Sequence, residues 1–433
     1  MAVETHYQVP VAGGPLVFSI EVPGSKSITN RALLIAALCD REVRLSNVLF
    51  SDDSAHFMDC LSKLGFKVEV DEAQKIVKVR GEGGSIPKRR AEINVGSAGT
   101  AARFLTAFLA VSAGEYLIDA SPQMAARPMK PLLEALKSLG ARFEFLKQPD
   151  CLPLLVKGAG SPDGRVTLQA NISSQFLSAL LLVGCLGRAG LGIELDGDLA
   201  ARPYVEMTLR MMRDFGVAVE NDQFRKFKIP PHKYRGRDYS IEPDVSNANY
   251  FWATAVLTGG SALVKGVTLD SLQGDIQFLE VFKKLGSRIE EREGGIRVEG
   301  PPGGVFPGIE VDLGATPDQT LTLAALAPYA SSPTIIKNVG LIKYHESNRM
   351  EATINELQRA GIRAEEYGDG LIIYPGKPRP AEIETYNDHR VAMAFALLGL
   401  RTPGIRIKNP DCTGKTFKDY FKYFDRVVTV GGG

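Results

Sequence analysis

The sequence predicts an α/β protein of six similar units, arranged as two lobes of three units each. Three observations support this prediction. A helix end followed by Gly and a strand recurs along the chain, polar segments that open apolar helices recur with the same period, and the 44% apolar and 23% charged residues are typical of a globular protein. The 433 residues would overfill a single core, so we expect two.

One recurring series pairs the end of an amphipathic helix with a Gly and a short strand. Its glycines, Gly65, Gly140, Gly216, Gly286 and Gly361, lie 75, 76, 70 and 75 residues apart. A Gly just past a helix typically takes the left-handed conformation that ends the helix. We therefore expect a positive φ at each of these glycines.

The second recurring series consists of polar segments that open strongly apolar helices, at intervals of 72, 75, 73, 71 and 71 residues. These helices are apolar nearly all round, which favours two closed bundles over a continuous solenoid. The polar, turn-rich stretch near residues 230–244 is the expected crossing between lobes. The six openings are marked by Ser27, Gly99, Ser174, Asn247, Asp318 and His389.

Charge and composition restrict the classes of function. With 51 Lys and Arg against 50 Asp and Glu, the net charge of +1 gives no field for nucleic acid or an acidic membrane. Five widely spaced Cys and five scattered His predict neither a disulfide framework nor a metal site. The sequence starts without a basic leader, and no apolar run approaches about 18 residues, so we expect a cytoplasmic protein.

Several cations stand at or near the starts of the apolar helices, namely Lys26, Arg31, Arg103, His389 and Arg390. A cation in this position loses about 0.3–1 kcal/mol to the helix dipole. An anion in the space that the cations face would offset that loss. The pattern therefore predicts an anionic ligand.

Further cations stand near the start of the second helix of several units. Arg127, Lys130, Arg202 and Arg349 occupy matching points of the repeat. Each alone is typical of a solvated surface. Because their positions match, we expect them to converge on the same ligand.

Asp318 and Glu346 admit two interpretations. An acid at a helix start is favourable by itself. In a cleft lined with cations, a carboxylate can instead accept and donate protons. Residue patterns alone leave both open, and the sequence has no Ser-His-Asp order, Walker loop or dinucleotide fingerprint.

Eight ordered blocks cover nearly the full chain. They are PGSKSITNRALLIAAL (23–38), GSAGTAARFLTA (96–107), RPMKP (127–131), SSQFLSALL (173–181), PDQT (317–320), HESNR (345–349), NDHRVAMA (387–394) and GKTFKDYF (414–421). These blocks resemble the EPSP synthase family, the 3-phosphoshikimate 1-carboxyvinyltransferases of aromatic amino acid biosynthesis. The resemblance implies two lobes of three βαββαβ units with the active site in the cleft between them. On this sequence, lobe one comprises residues 1–22 and 243–433, and lobe two comprises residues 23–242.

The resemblance also implies an activity. The carboxyvinyl group of phosphoenolpyruvate would be transferred to the 5-hydroxyl of shikimate 3-phosphate with release of phosphate, and no metal or organic cofactor is expected. Arginine forks suit the carboxylate and phosphate of phosphoenolpyruvate. By motif, the residues that would hold this substrate are Lys26, Gly99, Arg127, Gln175, Arg349, Arg390 and Lys415.

By the same resemblance, Asp318 would deprotonate the attacking hydroxyl. Glu346 would supply and then remove a proton at the methylene carbon, and Lys26 and His389 complete the implied catalytic set. The residues that would hold shikimate 3-phosphate are Ser27, Arg31, Ser173, Ser174, Gln175, Asp318 and His345.

Four positions depart from the family pattern. Ser97 replaces the usual Asn, Ala201 replaces a phosphate-binding Ser, and His345 replaces the Lys that commonly precedes the catalytic Glu. These changes predict a weaker hold on shikimate 3-phosphate. Phe104 stands where many members have Pro, so the resemblance does not predict whether glyphosate, the family's inhibitor, acts on this chain.

Three alternative functions stay open. UDP-N-acetylglucosamine 1-carboxyvinyltransferase shares the implied architecture and donor, but its Cys loop is absent from SPQMAARPM. RNA-terminal-phosphate cyclases require ATP, and a non-catalytic anion-binding relative is disfavoured by the presence of both Asp318 and Glu346. We expect two small-molecule substrates, no nucleic acid or membrane partner, and a monomer.

Overall fold

The structure, a computed structural model, describes residues 5–431. The chain forms two compact units. The first unit comprises Met1–Pro23 with Glu242–Gly433, and the second comprises Gly24–Ile241. The boundaries predicted from the sequence are 22/23 and 242/243.

Short strands are interspersed with helices along the described chain. The strands are β1 (His6–Gln8), β2 (Val17–Ile20), β3 (Glu42–Ser46), β4 (Val68–Asp71), β5 (Ile76–Arg80), β6 (Arg90–Asn94), β7 (Glu115–Asp119), β8 (Arg142–Phe145), β9 (Leu154–Lys157), β10 (Gly164–Gln169), β11 (Leu191–Asp196), β12 (Glu220–Asp222), β13 (Lys226–Ile229), β14 (Tyr239–Ser240), β15 (Ser261–Lys265), β16 (Arg288–Arg292), β17 (Gly295–Glu299), β18 (Glu310–Asp312), β19 (Thr334–Lys337), β20 (Ala364–Glu366), β21 (Leu371–Ile373), β22 (Glu382–Ile383) and β23 (Arg406–Lys408). The α-helices are α1 (Lys26–Leu38), α2 (Asp52–Lys63), α3 (Gly99–Val111), α4 (Pro122–Ala125), α5 (Lys130–Ser138), α6 (Ser174–Gly184), α7 (Arg202–Asp214), α8 (Val245–Thr258), α9 (Leu279–Lys284), α10 (Thr320–Leu326), α11 (Arg349–Arg359), α12 (His389–Gly399) and α13 (Tyr420–Gly431). The short 3₁₀ helices are Gly274–Phe278, Pro302–Gly304, Pro317–Gln319, Ala327–Tyr329, Gly340–Tyr344 and Pro410–Lys415.

Within the described residues, each unit contains three small sheets. Five of the six sheets share one topology, a parallel pair followed by two antiparallel pairings; they are β14–β3–β5–β4, β6–β7–β9–β8, β10–β11–β13–β12, β2–β15–β17–β16 and β18–β19–β21–β20. The sixth, β22–β23–β1, combines one parallel and one antiparallel pairing. The predicted α/β class is confirmed.

Each unit has three apolar helices in its core, α1, α3 and α6 in the second unit and α8, α10 and α12 in the first. In α3, for example, all 13 residues are buried. A helix that is apolar on every side can be accommodated only inside a core. The amphipathic helices cover these cores, with α7 packed on α6 and α11 on α10. Because the bodies of the six helices are buried, their polar first turns are the parts that can contact a ligand.

The helix-terminating glycines adopt the predicted conformation. Gly65, Gly140, Gly216, Gly286 and Gly361 have φ between +83° and +97°. Other residues are strained in this region, whereas Gly is not. The predicted helix stops are therefore confirmed.

The described residues give three further findings. Within residues 5–431, no group of three His, Cys, Asp or Glu side chains is arranged to hold a metal ion. None of the helices in this range is long and apolar enough to cross a membrane. All five cysteines are thiols.

Candidate active site

In the second unit, the polar residues singled out in the sequence stand at the starts of α1, α3 and α6. Lys26, Gly99 and Ser174 are the first residues of these helices. Ser25 and Ser173 cap α1 and α6 by accepting a backbone N–H of the first turn. Capping thus explains why two of the helices begin here. It does not explain the cations that accompany them.

Lys26 lies beside a buried carboxylate that the sequence analysis missed. Its Nζ is 3.5 Å from Oδ2 of Asp53, whose side chain is 3% exposed. Asp53 stands in the first turn of α2, after the capping residue Ser51. Acids are common in this position. Nothing in the sequence therefore separated Asp53 from other first-turn acids.

Arg31 is 1% exposed and hydrogen-bonds to neutral oxygens. Nε donates to Thr208 (2.8 Å), Nη1 to the carbonyl of Ser27 (3.0 Å), and Nη2 to Ser178 (3.4 Å) and the carbonyl of Tyr204 (3.1 Å). Burial lowers the pKa of Arg31 to about 10, and no described carboxylate opposes this effect. A guanidinium has five N–H donors, so one on Nη1 has no acceptor among the described residues.

Gly99 allows two guanidinium groups to approach the start of α3. A Cβ at this position would lie 2.7 Å from Nη1 of Arg127 and 2.9 Å from Nη1 of Arg103. Arg103 is 2% exposed and donates to the carbonyls of Gly99 and Pro128. The geometry therefore explains why this position favours Gly, and it places the Arg127 guanidinium at the start of α3.

Gln175 contributes a buried polar atom in the first turn of α6. Its Oε1 has no hydrogen-bond partner among the described residues. Buried amide oxygens nearly always accept a hydrogen bond. This oxygen can therefore accept a hydrogen bond from a ligand hydroxyl.

Two of the cations that the sequence predicts to converge on the ligand have exposed side chains instead. Lys130 has a side chain 63% exposed and pairs with Glu134. Arg202 is 58% exposed, pairs with Glu206 and stacks 3.9 Å from the ring centre of Phe224. Both side chains are satisfied by near neighbours in exposed positions. The predicted convergence is wrong for these two residues because exposed arginine and lysine pair locally.

The positions that depart from the family pattern have local partners or strain. Ser97 Oγ lies 2.7 Å from Ser121 Oγ. Ala201 precedes α7 in the left-handed region, with φ +47°, and makes no side-chain cap. Phe104 is fully buried, with the Arg31 guanidinium 5.3 Å from its ring centre.

In the first unit, Arg349 is the centre of the polar cluster. It is the first residue of α11, and its side chain is 1% exposed. Nη1 donates to Asp318 (2.7 Å), Nη2 to Glu346 (2.8 Å) and Nε to Asp388 (2.8 Å). Burial opposes the charge of Arg349, but the three carboxylates outweigh burial and raise its pKa. Both candidate proton carriers thus bond to one guanidinium.

Asp318 lies in the 3₁₀ turn Pro317–Gln319 and contacts three cationic or titratable groups. Arg390 Nη2 is 2.9 Å from its Oδ2, and His345 Nδ1 is 3.3 Å from its Oδ1, which Arg349 also contacts. Burial alone would raise the pKa of Asp318, but Arg390, His345 and Arg349 hold that pKa well below its usual range. Asp318 is therefore ionised at neutral pH.

The start of α12 brings His389 and Arg390 into the same cluster. Asp388 caps this helix by accepting the backbone N–H of Arg390. His389 is 1% exposed, and its Nδ1 lies 3.6 Å from Asp388 Oδ1. Arg390 Nη1 donates to the Tyr250 hydroxyl at 3.3 Å. Lys415, at the end of the 3₁₀ helix Pro410–Lys415, is 6% exposed.

Sequence reasoning missed Asp388 and Tyr250 as well as Asp53. Asp388 directly precedes the cations of the NDHR block, so its position as a helix cap was a usable signal. Tyr250 lies inside the apolar run of α8, where an aromatic residue is typical of core packing. Its contact with Arg390 depends on tertiary structure alone.

The fold and the two clusters define the class of protein. Each unit is a set of small sheets around buried helices. The polar cluster of the second unit is rich in cations, and the polar cluster of the first unit pairs arginines with carboxylates. Such a chain is an α/β protein equipped to bind small anions and to transfer protons.

Comparisons with known proteins identify the family. The sequence model of the family EPSP synthase (3-phosphoshikimate 1-carboxyvinyltransferase) matches residues 11–424. Proteins named 3-phosphoshikimate 1-carboxyvinyltransferase are similar in sequence: that of Trichormus variabilis is 44% identical, covering 97% of this chain and 98% of the relative, and that of Shewanella loihica is 38% identical, covering 94% and 96%. The solved structure of EPSP synthase from Acinetobacter baumannii shares the fold, with a TM-score of 0.79, 22% identity and 98% coverage of both chains. The chain belongs to the EPSP synthase family, as the sequence predicted.

Proposed function

We propose that this chain transfers the carboxyvinyl group of phosphoenolpyruvate to the 5-hydroxyl of shikimate 3-phosphate and releases phosphate. Each substrate carries a carboxylate and a phosphate, so the pair repel one another. Buried cations offset that repulsion, and guanidinium groups match both anions. The charge pattern of the two clusters supports this pair of substrates, and we propose that both clusters act on it.

The observation that carries the proposal is the contact of Asp318 and Glu346 with the single guanidinium of Arg349, at 2.7 and 2.8 Å. Addition followed by elimination needs one acid–base group at the hydroxyl and another at the methylene carbon. In these roles Glu346 protonates the methylene carbon. The hydroxyl oxygen then bonds to the neighbouring carbon and gives its proton to Asp318.

The second half of the reaction reverses one proton transfer. Glu346 removes a proton from the methyl group, the carbon–carbon double bond re-forms, and the carbon–oxygen bond to phosphate breaks. The departing phosphate takes up the proton that Asp318 accepted, so both carboxylates return to their starting states. Arg390, Lys415, Arg127 and Lys26 would stabilise the charge on the departing phosphate. No metal or organic cofactor enters this sequence of steps.

The low pKa of Asp318 makes it a weak base while Arg349 and Arg390 hold it. An anionic substrate that takes over hydrogen bonds from these two arginines reduces their hold on the carboxylate. The pKa of Asp318 then rises towards the value that a general base requires. In this scheme substrate binding prepares the base.

The test is to identify the products by phosphorus NMR. Purified protein is incubated with phosphoenolpyruvate and, separately, with shikimate 3-phosphate, shikimate or UDP-N-acetylglucosamine as acceptor. We expect one phosphate released for each carboxyvinyl product, with shikimate 3-phosphate alone as effective acceptor. Turnover with UDP-N-acetylglucosamine would instead assign the chain to the rival activity.

A monomeric, cytoplasmic enzyme remains our expectation. Light scattering coupled to size exclusion, with and without the substrates, measures the molar mass directly. A mass near 46.9 kDa supports a monomer, and twice that mass contradicts it.

A further inference from the structure

The start of α8 is the fourth polar opening in the sequence, and the proposed reaction gives it no role. Its first turn packs against the 3₁₀ helix Gly274–Phe278, which carries Asp275. Asp275 is 4% exposed, in the same unit as Asp318 and Arg390. A buried carboxylate so close to a proposed acid–base site needs a physical explanation.

Hydrogen bonds fix Asp275 to the start of α8. The hydroxyl of Ser246 donates to Asp275 Oδ2, and Asn249 Nδ2 donates to the backbone carbonyl of Asp275 at 3.3 Å. The neighbouring Gln273 accepts the backbone N–H of Val245 at 2.9 Å. These bonds join the two elements on both sides of Asp275, so its carboxylate has a defined position.

The charged groups near Asp275 come from three elements. Arg390 on α12 attracts it, whereas Asp318 in the 3₁₀ turn Pro317–Gln319 and Asp244 at the cap of α8 repel it. Burial is the largest effect and, despite Arg390, raises the pKa of Asp275 to about 6. At neutral pH the carboxylate is therefore ionised at a cost to stability. A costly buried charge beside a site is typical of a functional group.

Arg390 links Asp275 to Asp318, the proposed general base. Its Nη2 is 2.9 Å from Asp318 Oδ2, and its Nη1 donates to Tyr250 of α8. Ser246 and Tyr250 stand one turn apart on α8, so Asp275 and Arg390 are bonded to the same side of that helix. The positive charge of Arg390 therefore acts on Asp275 as well as on Asp318. Negative charge at Asp275 offsets part of the field that Arg390 exerts on Asp318, and it also repels Asp318 directly. Both effects make Asp318 a stronger base.

We propose that Asp275 is a positioning residue: its carboxylate, held by Ser246, balances Arg390 from the side of α8 and so keeps Asp318 able to accept the proton of the acceptor hydroxyl. This inference rests on the proposed function for its kinetic consequences. Its electrostatic consequences do not depend on turnover. Asp275 itself contacts neither substrate in this scheme.

The test compares Asp275→Asn and Ser246→Ala with the wild type and with Glu280→Gln. Asp275→Asn removes the charge but keeps an oxygen for Ser246 to donate to. Ser246→Ala removes the bond that orients and stabilises the carboxylate. Glu280 is five residues further along, its side chain is 66% exposed, and its replacement removes the same charge from the surface.

The kinetic readout is the dependence of kcat and KM on pH with both substrates. For Asp275→Asn we expect kcat to fall roughly 3–10-fold, because general-base catalysis weakens as the pKa of the base falls. The acid limb of the profile should move to lower pH. The KM for phosphoenolpyruvate should not increase. Ser246→Ala should show smaller changes in the same directions, and Glu280→Gln none.

Two readouts need no turnover. Calorimetric titration with phosphoenolpyruvate should show binding to Asp275→Asn roughly threefold tighter or more, because a negative charge near Arg390 is gone. In urea unfolding, the raised pKa of Asp275 means that its charge lowers the stability of the wild type as pH rises from about 4 through 6. The stability of Asp275→Asn relative to the wild type should therefore increase from about pH 4 to about pH 6 and stay constant from there to pH 8.

A purely structural Asp275 predicts the opposite signs, with a less stable variant that binds more weakly. That result, or a variant indistinguishable from Glu280→Gln in all three measurements, would overturn the inference. If the wild type shows no turnover with shikimate 3-phosphate, the proposed function fails. The binding and unfolding comparisons would still decide whether Asp275 acts on Arg390.

Discussion

Arg31 in the second unit and Arg349 in the first unit are both buried, yet they have different partners. Arg31 donates to four neutral oxygens and retains one N–H without an acceptor in the described structure. Arg349 contacts Asp318, Glu346 and Asp388. The first arrangement leaves a positive charge for a ligand. The second compensates the charge until a ligand competes for it.

This difference assigns separate roles to the two units. A cation among neutral oxygens attracts an anion without having to give up another one. A cation among carboxylates can bind a new anion only by weakening its existing pairs, and that changes the pKa of each carboxylate. We infer that the second unit mainly holds substrate, whereas the first unit mainly performs proton transfer.

The largest expected effect is at Arg349. Arg349→Gln leaves three buried carboxylates without their common cation, which should lower the free energy of unfolding by about 3–5 kcal/mol. Arg349→Lys keeps the charge but loses the planar guanidinium that donates to three carboxylates, and its kcat should fall roughly 10²–10³-fold. Denaturant unfolding and steady-state kinetics measure the two effects. Arg363→Lys, an exposed change in the same unit, is the matched control.

Arg31 tests the other side of the comparison. Arg31→Lys should weaken shikimate 3-phosphate binding about 10–100-fold, the range for hydrogen bonds to charged groups, while kcat changes much less. Titration calorimetry measures the affinity for shikimate 3-phosphate, and separate values of KM and kcat show that binding is affected more than turnover. Arg225→Lys, exposed in the same unit, should behave as the wild type. Equal losses of kcat in Arg31→Lys and Arg349→Lys would remove the distinction between the units.

A smaller effect is expected at Gly99. The Cβ of Gly99→Ala would displace the flexible ends of Arg127 and Arg103, so the fold should survive. The KM for phosphoenolpyruvate should rise roughly tenfold, because a displaced guanidinium binds its anion in poorer geometry. Gly13→Ala, where a Cβ would have no neighbour within 4 Å, is the control. An unchanged KM would show that Arg127 does not hold this substrate.

The sequence was sufficient for the fold class and for the helix starts, because both depend on short-range patterns. The period of the glycines and the apolar openings are visible without any long-range contact. The hydrogen bonds of Arg31 to Thr208 and Ser178, and the contact of Arg390 with Tyr250, join residues about 140 to 180 positions apart. No local pattern predicts such pairs.

Two errors have a common physical cause. Lys130 and Arg202 were grouped with Arg127 and Arg349 because all four follow the same repeat. Repeat position fixes where a backbone lies, but burial decides whether a side chain finds a carboxylate nearby or a ligand. The local pairs with Glu134 and Glu206 could not be distinguished from functional convergence by spacing alone.

The most direct test of the central claim is a rapid-quench single turnover of Asp318→Asn and Glu346→Gln at saturating phosphoenolpyruvate and shikimate 3-phosphate, with calorimetric affinities measured on the same proteins. The account predicts that neither substrate binds more than about threefold more weakly than to the wild type, and that phosphoenolpyruvate binds more tightly because a carboxylate beside Arg349 has lost its charge. The chemical step should be slowed roughly 10²–10⁴-fold, the usual contribution of a positioned acid or base. Chemical steps at wild-type rates would contradict it and would reduce both carboxylates to partners of Arg349.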